Sequence, residues 1–86
     1  MFKSLEDAVV TVIGDHYGLY GRLLDPETRF ADLRSDEVDY LEVVMTLEEL
    51  LGCTLLPLPL NRPQTVGAII EYCRSAVQRR RQSKEE

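Results

Sequence analysis

The sequence predicts a single all-α domain, three main helices plus a short, proline-disturbed third element. Three observations point there: three stretches repeat apolar residues at helical spacing, cap and stop residues bracket them, and Pro57, Pro59 and Pro63 interrupt the chain between the last two. The chain has 86 residues, 44% of them hydrophobic, which suits one globular core. A chain this short buries only a little over half of its unfolded surface, so stability on the order of 5 kcal/mol is expected unless a partner adds to it. Residues 1–79 are expected to form the domain and residues 80–86 a flexible charged tail.

The first helix is expected from Ser4 to about Leu19, where Leu5, Ala8, Val9, Val12, Ile13 and Tyr17 form one apolar stripe. Ser4 followed by Asp7 resembles a capping box, and Gly18 and Gly21 supply a stop. A loop of about fifteen residues follows, from Tyr20 to Ser35, long enough that it should pack on the helices, with Leu23, Leu24, Phe30 and Leu33 as anchors. Asp25-Pro26 reads as a turn, and Thr28 is placed to start a brief helical turn before Phe30. The second helix should start from Asp36, a good N-cap, and end at Leu51 before Gly52. Val38, Leu41, Val44, Leu47 and Leu51 make its expected core stripe, with Asp39, Glu42, Thr46 and Glu49 on the other side.

Each proline in 53–63 removes a backbone donor, so that segment is expected to be extended with at most one helical turn. The last helix opens at Thr65 and places Val66, Ile69, Ile70, Cys73, Ala76 and Val77 on one face. After Arg79 the chain has no apolar residue to pack, which predicts fraying, and its positive residues suit a helix C-terminus.

The formal charge is −5, which disfavours a nucleic-acid backbone as the main ligand. Residues 25–49 hold nine acids against Arg29 and Arg34, a local −7 that leaves the rest of the chain at +2 and favours a basic protein partner. Cys53 and Cys73 lack C-x-x-C spacing, no signal-peptide pattern opens the sequence, and no apolar run reaches the roughly 20 residues of a membrane span. Reduced thiols in a soluble, cytoplasmic and monomeric protein are therefore expected. His16 stands without a second ligand at metal spacing, and no phosphate loop or nucleophile with a base is present, so neither metal nor enzymatic chemistry is expected.

The run from Thr28 to Glu49 resembles the acyl carrier protein family without a gap. The family reads approximately T-x-F-x-D-L-G-x-D-S-L-D-x-V-E-L-V-M-x-L-E-E, against Thr28, Phe30, Asp32-Leu33, Asp36, Asp39, Glu42, Met45 and Leu47-Glu48-Glu49 here. Leu5-Glu6-Asp7 through Gly18-Leu19 resembles its first helix and Thr65-Val66-Gly67 with Ile69, Ile70 and Tyr72 its last, so the resemblance covers about residues 4–77. It implies a right-turning, acyl-carrier-like four-helix bundle that carries acyl thioesters on a phosphopantetheine arm. It also implies an acidic second helix that docks basic enzymes of acyl or other biosynthetic pathways.

The family attaches its arm to the serine of Asp-Ser-Leu, and the matching residues here are Asp36-Glu37-Val38. A carboxylate cannot form the phosphodiester that a serine hydroxyl makes, so phosphopantetheine is not expected at Glu37. Arg34 replaces the usual glycine, and the proline-rich 57–63 segment replaces an acidic short helix. Ser35 could serve only with a two-residue shift that breaks the match of Leu41, Glu42, Met45, Glu48 and Glu49; Ser4, Ser75 and Ser83 are placed worse. The resemblance carries the docking role onto Asp36, Glu37, Leu41, Glu42, Met45, Glu48 and Glu49. Glu37 itself has three readings: a first-turn acid favoured by the helix dipole, a charge imitating the phosphodiester, or an acid/base group with His16. The expectation is an interaction module that has lost carrying; a carrier modified at an unexpected serine and a helical binder of apolar ligands are the alternatives.

Overall fold

A computed structural model describes residues 3–19, 24–33 and 36–85, the side chains of 81–85 excepted. Helix α1 spans Leu5–Tyr17, a 3-10 turn spans Phe30–Leu33, α2 spans Glu37–Leu51 and α3 spans Val66–Glu85. No strand is present among the described residues beyond one isolated antiparallel bridge between Arg29 and Thr65.

The ends of α1 follow from local chemistry. The Ser4 hydroxyl accepts from the Asp7 N–H at 3.1 Å, but the Asp7 carboxylate takes the Lys3 N–H rather than that of Ser4, so the expected capping box closes on one side only. At the other end Gly18 adopts φ 72°, a left-handed conformation that costs glycine nothing, and its N–H caps Gly14 O. The same device ends α2, where Gly52 has φ 64° and caps Glu48 O. Asp36 is the N-cap of α2, as expected, and forms a complete capping box with Asp39.

The core joins Val9 and Ile13 of α1, Phe30, four residues of α2, Leu55, and Val66, Ile69, Ile70, Cys73 and Ala76 of α3. Helix α1 packs against both α2 and α3. The buried stripe of α2 is Tyr40, Val43, Val44 and Leu47, which corrects the expected one. Val44 and Leu47 belong to it, Leu41 and Leu51 lie half-buried at its edges, and Val38 is 61% exposed. The helix is turned so that Tyr40 enters the core, where its ring meets Phe30 edge-on at 5.0 Å and its hydroxyl donates to Pro63 O at 2.5 Å.

The described part of the long first loop, residues 24–33, packs as its length predicts. Phe30 is buried, Leu24 and Leu33 lie against the core, and Leu23 is outside the described residues, as are Gly21, Arg34 and Ser35. Its carbonyls also serve α3: Val66 N–H donates to Thr28 O and Gly67 N–H to Pro26 O, both at 2.9 Å. The Thr65 hydroxyl takes Ala68 N–H, so the loop and Thr65 together satisfy donors that a helix start leaves unpaired.

The count of four helices is a correction. Residues 53–63 contain no helical turn, and the 3-10 turn lies earlier, at Phe30–Leu33, after Thr28 and Arg29. The described residues thus hold three α-helices and one 3-10 turn rather than four helices. Helix α3 continues through Glu85, past the last apolar residue, in a run of Arg, Gln and Lys that have good helix propensity. No described helix is long and apolar enough to cross a membrane.

Candidate functional site

The N-terminal turn of α2 and the proline-rich loop meet through one ion pair. Arg62 donates from Nη1 to Glu37 Oε2 at 2.7 Å and from Nη2 to Glu37 Oε1 at 2.6 Å, a two-pronged pairing across 25 residues of sequence. The guanidinium carbon lies 4.8 Å from the centroid of the Tyr40 ring. Arg62 holds the Glu37 carboxyl below the usual carboxylate range, chiefly through these hydrogen bonds. Burial pushes the Tyr40 phenol up to about 12, so its hydroxyl remains a donor to Pro63.

Other ties fix the same loop. Glu48 Oε2 accepts from Leu55 N–H at 2.7 Å and Leu56 N–H at 2.8 Å, and the Tyr72 hydroxyl donates to Leu55 O at 2.6 Å. The loop is therefore tied to α2 through Glu37, Tyr40 and Glu48 and to α3 through Tyr72, with Leu60 fully exposed along it.

These ties divide the acidic residues singled out in the sequence. Asp36 is occupied as the helix cap. Asp39 accepts from Asp36 N–H and lies 3.2 Å from His16 Nε2, and the His16 contact is the main reason its carboxyl sits below its ordinary range. Glu37 and Glu48 are turned to the loop. Glu42 and Glu49 remain exposed, with Met45 at 55% exposure between them; together with Thr46 these residues line a shallow groove of about 230 Å³. Leu41 is half-buried beside this face, and Val38 and Leu50 add exposed apolar surface to the helix.

Arg62, Tyr40 and the His16–Asp39 link are the parts of this site that the sequence did not single out. No local pattern announces them, because each joins residues 23 or 25 positions apart. The two cysteines are free thiols; Cys73 is buried, which pushes its thiol up to about 12. Among the described residues no group of three or more His, Cys, Asp or Glu side chains is placed to hold a metal ion.

Compared with protein-family models, the chain matches none. Individual proteins do match. The acyl carrier protein of Chlamydia felis is 33% identical over 73 residues, covering 84% of this chain and 94% of its own. That of Chlamydia trachomatis serovar D is 34% identical over 70 residues, covering 80% and 91%, and that of Chlamydia caviae is 32% identical over 73 residues, covering 84% and 95%. The chain belongs to the acyl carrier protein family. The matches run over nearly the full length of these acyl carrier proteins, in keeping with the extent of the resemblance read from residues 4–77.

Proposed function

We propose that this member of the acyl carrier protein family is a docking module that carries no acyl chain at the family's usual position. It binds basic-faced enzymes of acyl or related biosynthetic pathways in the cytoplasm, through the exposed side of α2, and its role is binding rather than catalysis. The observation that carries the reading is the state of Glu37. It stands at the register of the attachment serine, it has no hydroxyl to enter a phosphodiester, and both its oxygens accept hydrogen bonds from Arg62. The residues at this place therefore offer no covalent attachment point for a phosphopantetheine arm.

What supports docking is the contrast along α2. Asp36, Glu37, Asp39 and Glu48 are engaged within the chain, whereas Glu42 and Glu49 extend to solvent around Met45. Exposed charges of this kind steer association and select partners. Leu41 and Met45 supply the apolar contact beside them.

Intact-mass measurement of the full chain, after incubation with coenzyme A and a broad phosphopantetheinyl transferase, tests the first half. An unchanged mass is expected, and a phosphopantetheine adduct on Ser35 or any other serine overturns the loss of carrying. The second half is tested with Glu42→Lys/Glu49→Lys, which leaves the Glu37 and Glu48 ties intact. Acyl-processing enzymes captured by the wild-type chain should be lost by the variant, and undiminished capture refutes docking through α2.

A further inference from the structure

The loop presents Arg62 half-buried and held on two sides. Its guanidinium is backed by the Tyr40 ring at 4.8 Å, and both prongs of its fork point at one carboxylate. The backbone beneath it is fixed by the Tyr40 hydroxyl on Pro63 O, and further back by Glu48 and Tyr72 on Leu55 and Leu56. Beside it lies a hollow of about 290 Å³ lined by Arg29, Ala31, Tyr40, Arg62, Pro63 and Gln64. Arg29 brings a second guanidinium to this hollow; its Nε is 3.7 Å from Asp32 Oδ2, beyond hydrogen-bond length, and both side chains are largely exposed.

A planar guanidinium with two parallel N–H groups fits a phosphate as well as a carboxylate, and a fork already held in place loses little freedom on binding either. We infer that Arg62, backed by Tyr40 and sharing its hollow with Arg29, is a phosphate-binding seat that the chain fills from within by the Glu37 carboxylate. Glu37 is then an internal occupant. A phosphate group arriving from outside must displace it, so the seat opens only to the extent that the ion pair does. The inference concerns the Arg62 hollow and its occupant Glu37, and it stands even if some serine elsewhere proves to be modified.

Titration of the isotope-labelled full chain with inorganic phosphate, followed by NMR at the Arg62 side chain and the Gln64 amide, tests it. Glu37→Gln should bind phosphate about 5-fold more tightly than wild type, the factor by which an exposed ion pair of ordinary strength keeps its cation occupied. Glu42→Gln removes the same charge from the same helix and, at physiological salt, should change affinity by less than about 2-fold. Arg62→Lys in the Glu37→Gln background keeps the charge, loses the fork and should weaken binding; Arg62→Ala should abolish it. Equal affinity of Glu37→Gln and wild type, an equal gain in Glu42→Gln, or binding that survives Arg62→Ala overturns the seat. A parallel titration with 4′-phosphopantetheine separates the sources of the phosphate: tighter binding than inorganic phosphate assigns the seat to a phosphate on an organic arm, and equal binding assigns it to free phosphate.

Discussion

Glu37 shows how one side chain in the first turn of a helix can take on a structural task, since both its oxygens hold Arg62 of the following loop. Its carboxylate is ionised and bonded in the folded chain, and its value lies below the ordinary 4.5 because Arg62 favours the charged form. The unfolded chain therefore binds a proton at position 37 more readily than the folded one, and the pair's contribution to stability rises with pH. That contribution is complete above the ordinary carboxylate range and is lost as the pH falls through the depressed folded value. Thermal melts of wild type and Glu37→Gln at a series of pH values should differ most near neutrality and converge in acid; a gap that persists or widens in acid would show that the pair does not act this way. Asp39 is shifted in the same direction by His16, so Glu37→Gln should leave part of the acid dependence in place. Tyr40 offers a second check at this scale. Tyr40→Phe keeps the ring under Arg62 but strands the carbonyl of buried Pro63, a loss of about 1–2 kcal/mol measurable by urea denaturation.

Among the elements, the loop before α2 and the loop after it depend on contacts that helix rules do not describe. Gly67 lies in the first turn of α3, where alanine would ordinarily raise helix stability. A Cβ there would come within 2.9 Å of Pro26 O, a backbone atom that also accepts the Gly67 N–H. Gly67→Ala should therefore destabilise, by about 1–3 kcal/mol, and a rise in melting temperature would show that the 24–30 loop yields easily. Glu48 makes the matching case for the other loop. Glu48→Ala leaves the N–H groups of Leu55 and Leu56 without their acceptor, at a cost on the order of 2 kcal/mol, and hydrogen exchange at those two amides should accelerate. The helices themselves were legible because their signals are local: Ser4, Asp36, Gly18 and Gly52 each act on neighbours within a turn. The rotation of α2 was not, since Val38 and Tyr40 both suit a half-buried helix edge, and the partners that favour Tyr40, the Phe30 ring, the Arg62 guanidinium and the Pro63 carbonyl, all lie outside the helix. For the same reason Glu37 was visible as a departure from the family pattern while its partner Arg62 was not.

For the molecule as a whole, the described helices and the two loops tied to them converge on one small core, and that makes the domain sensitive to any loss within it. Leu47 is fully buried at the centre of the α2 stripe, in the same cluster as residues from α1, α3 and both loops. Removing its side chain to alanine takes away buried apolar area and leaves a cavity that a close-packed interior fills poorly, which costs about 2–5 kcal/mol. A domain of this length has a total stability on the order of 5 kcal/mol, so the loss approaches the whole of it. Leu47→Ala should be largely unfolded near 37 °C by circular dichroism, whereas Met45→Ala, two residues away on the exposed side, should melt within a few degrees of wild type. The contrast matters for every binding experiment on α2. A variant at Glu42, Met45 or Glu49 that loses partner binding while keeping the wild-type melt has lost a contact, and one that melts early has lost the helix that presents it.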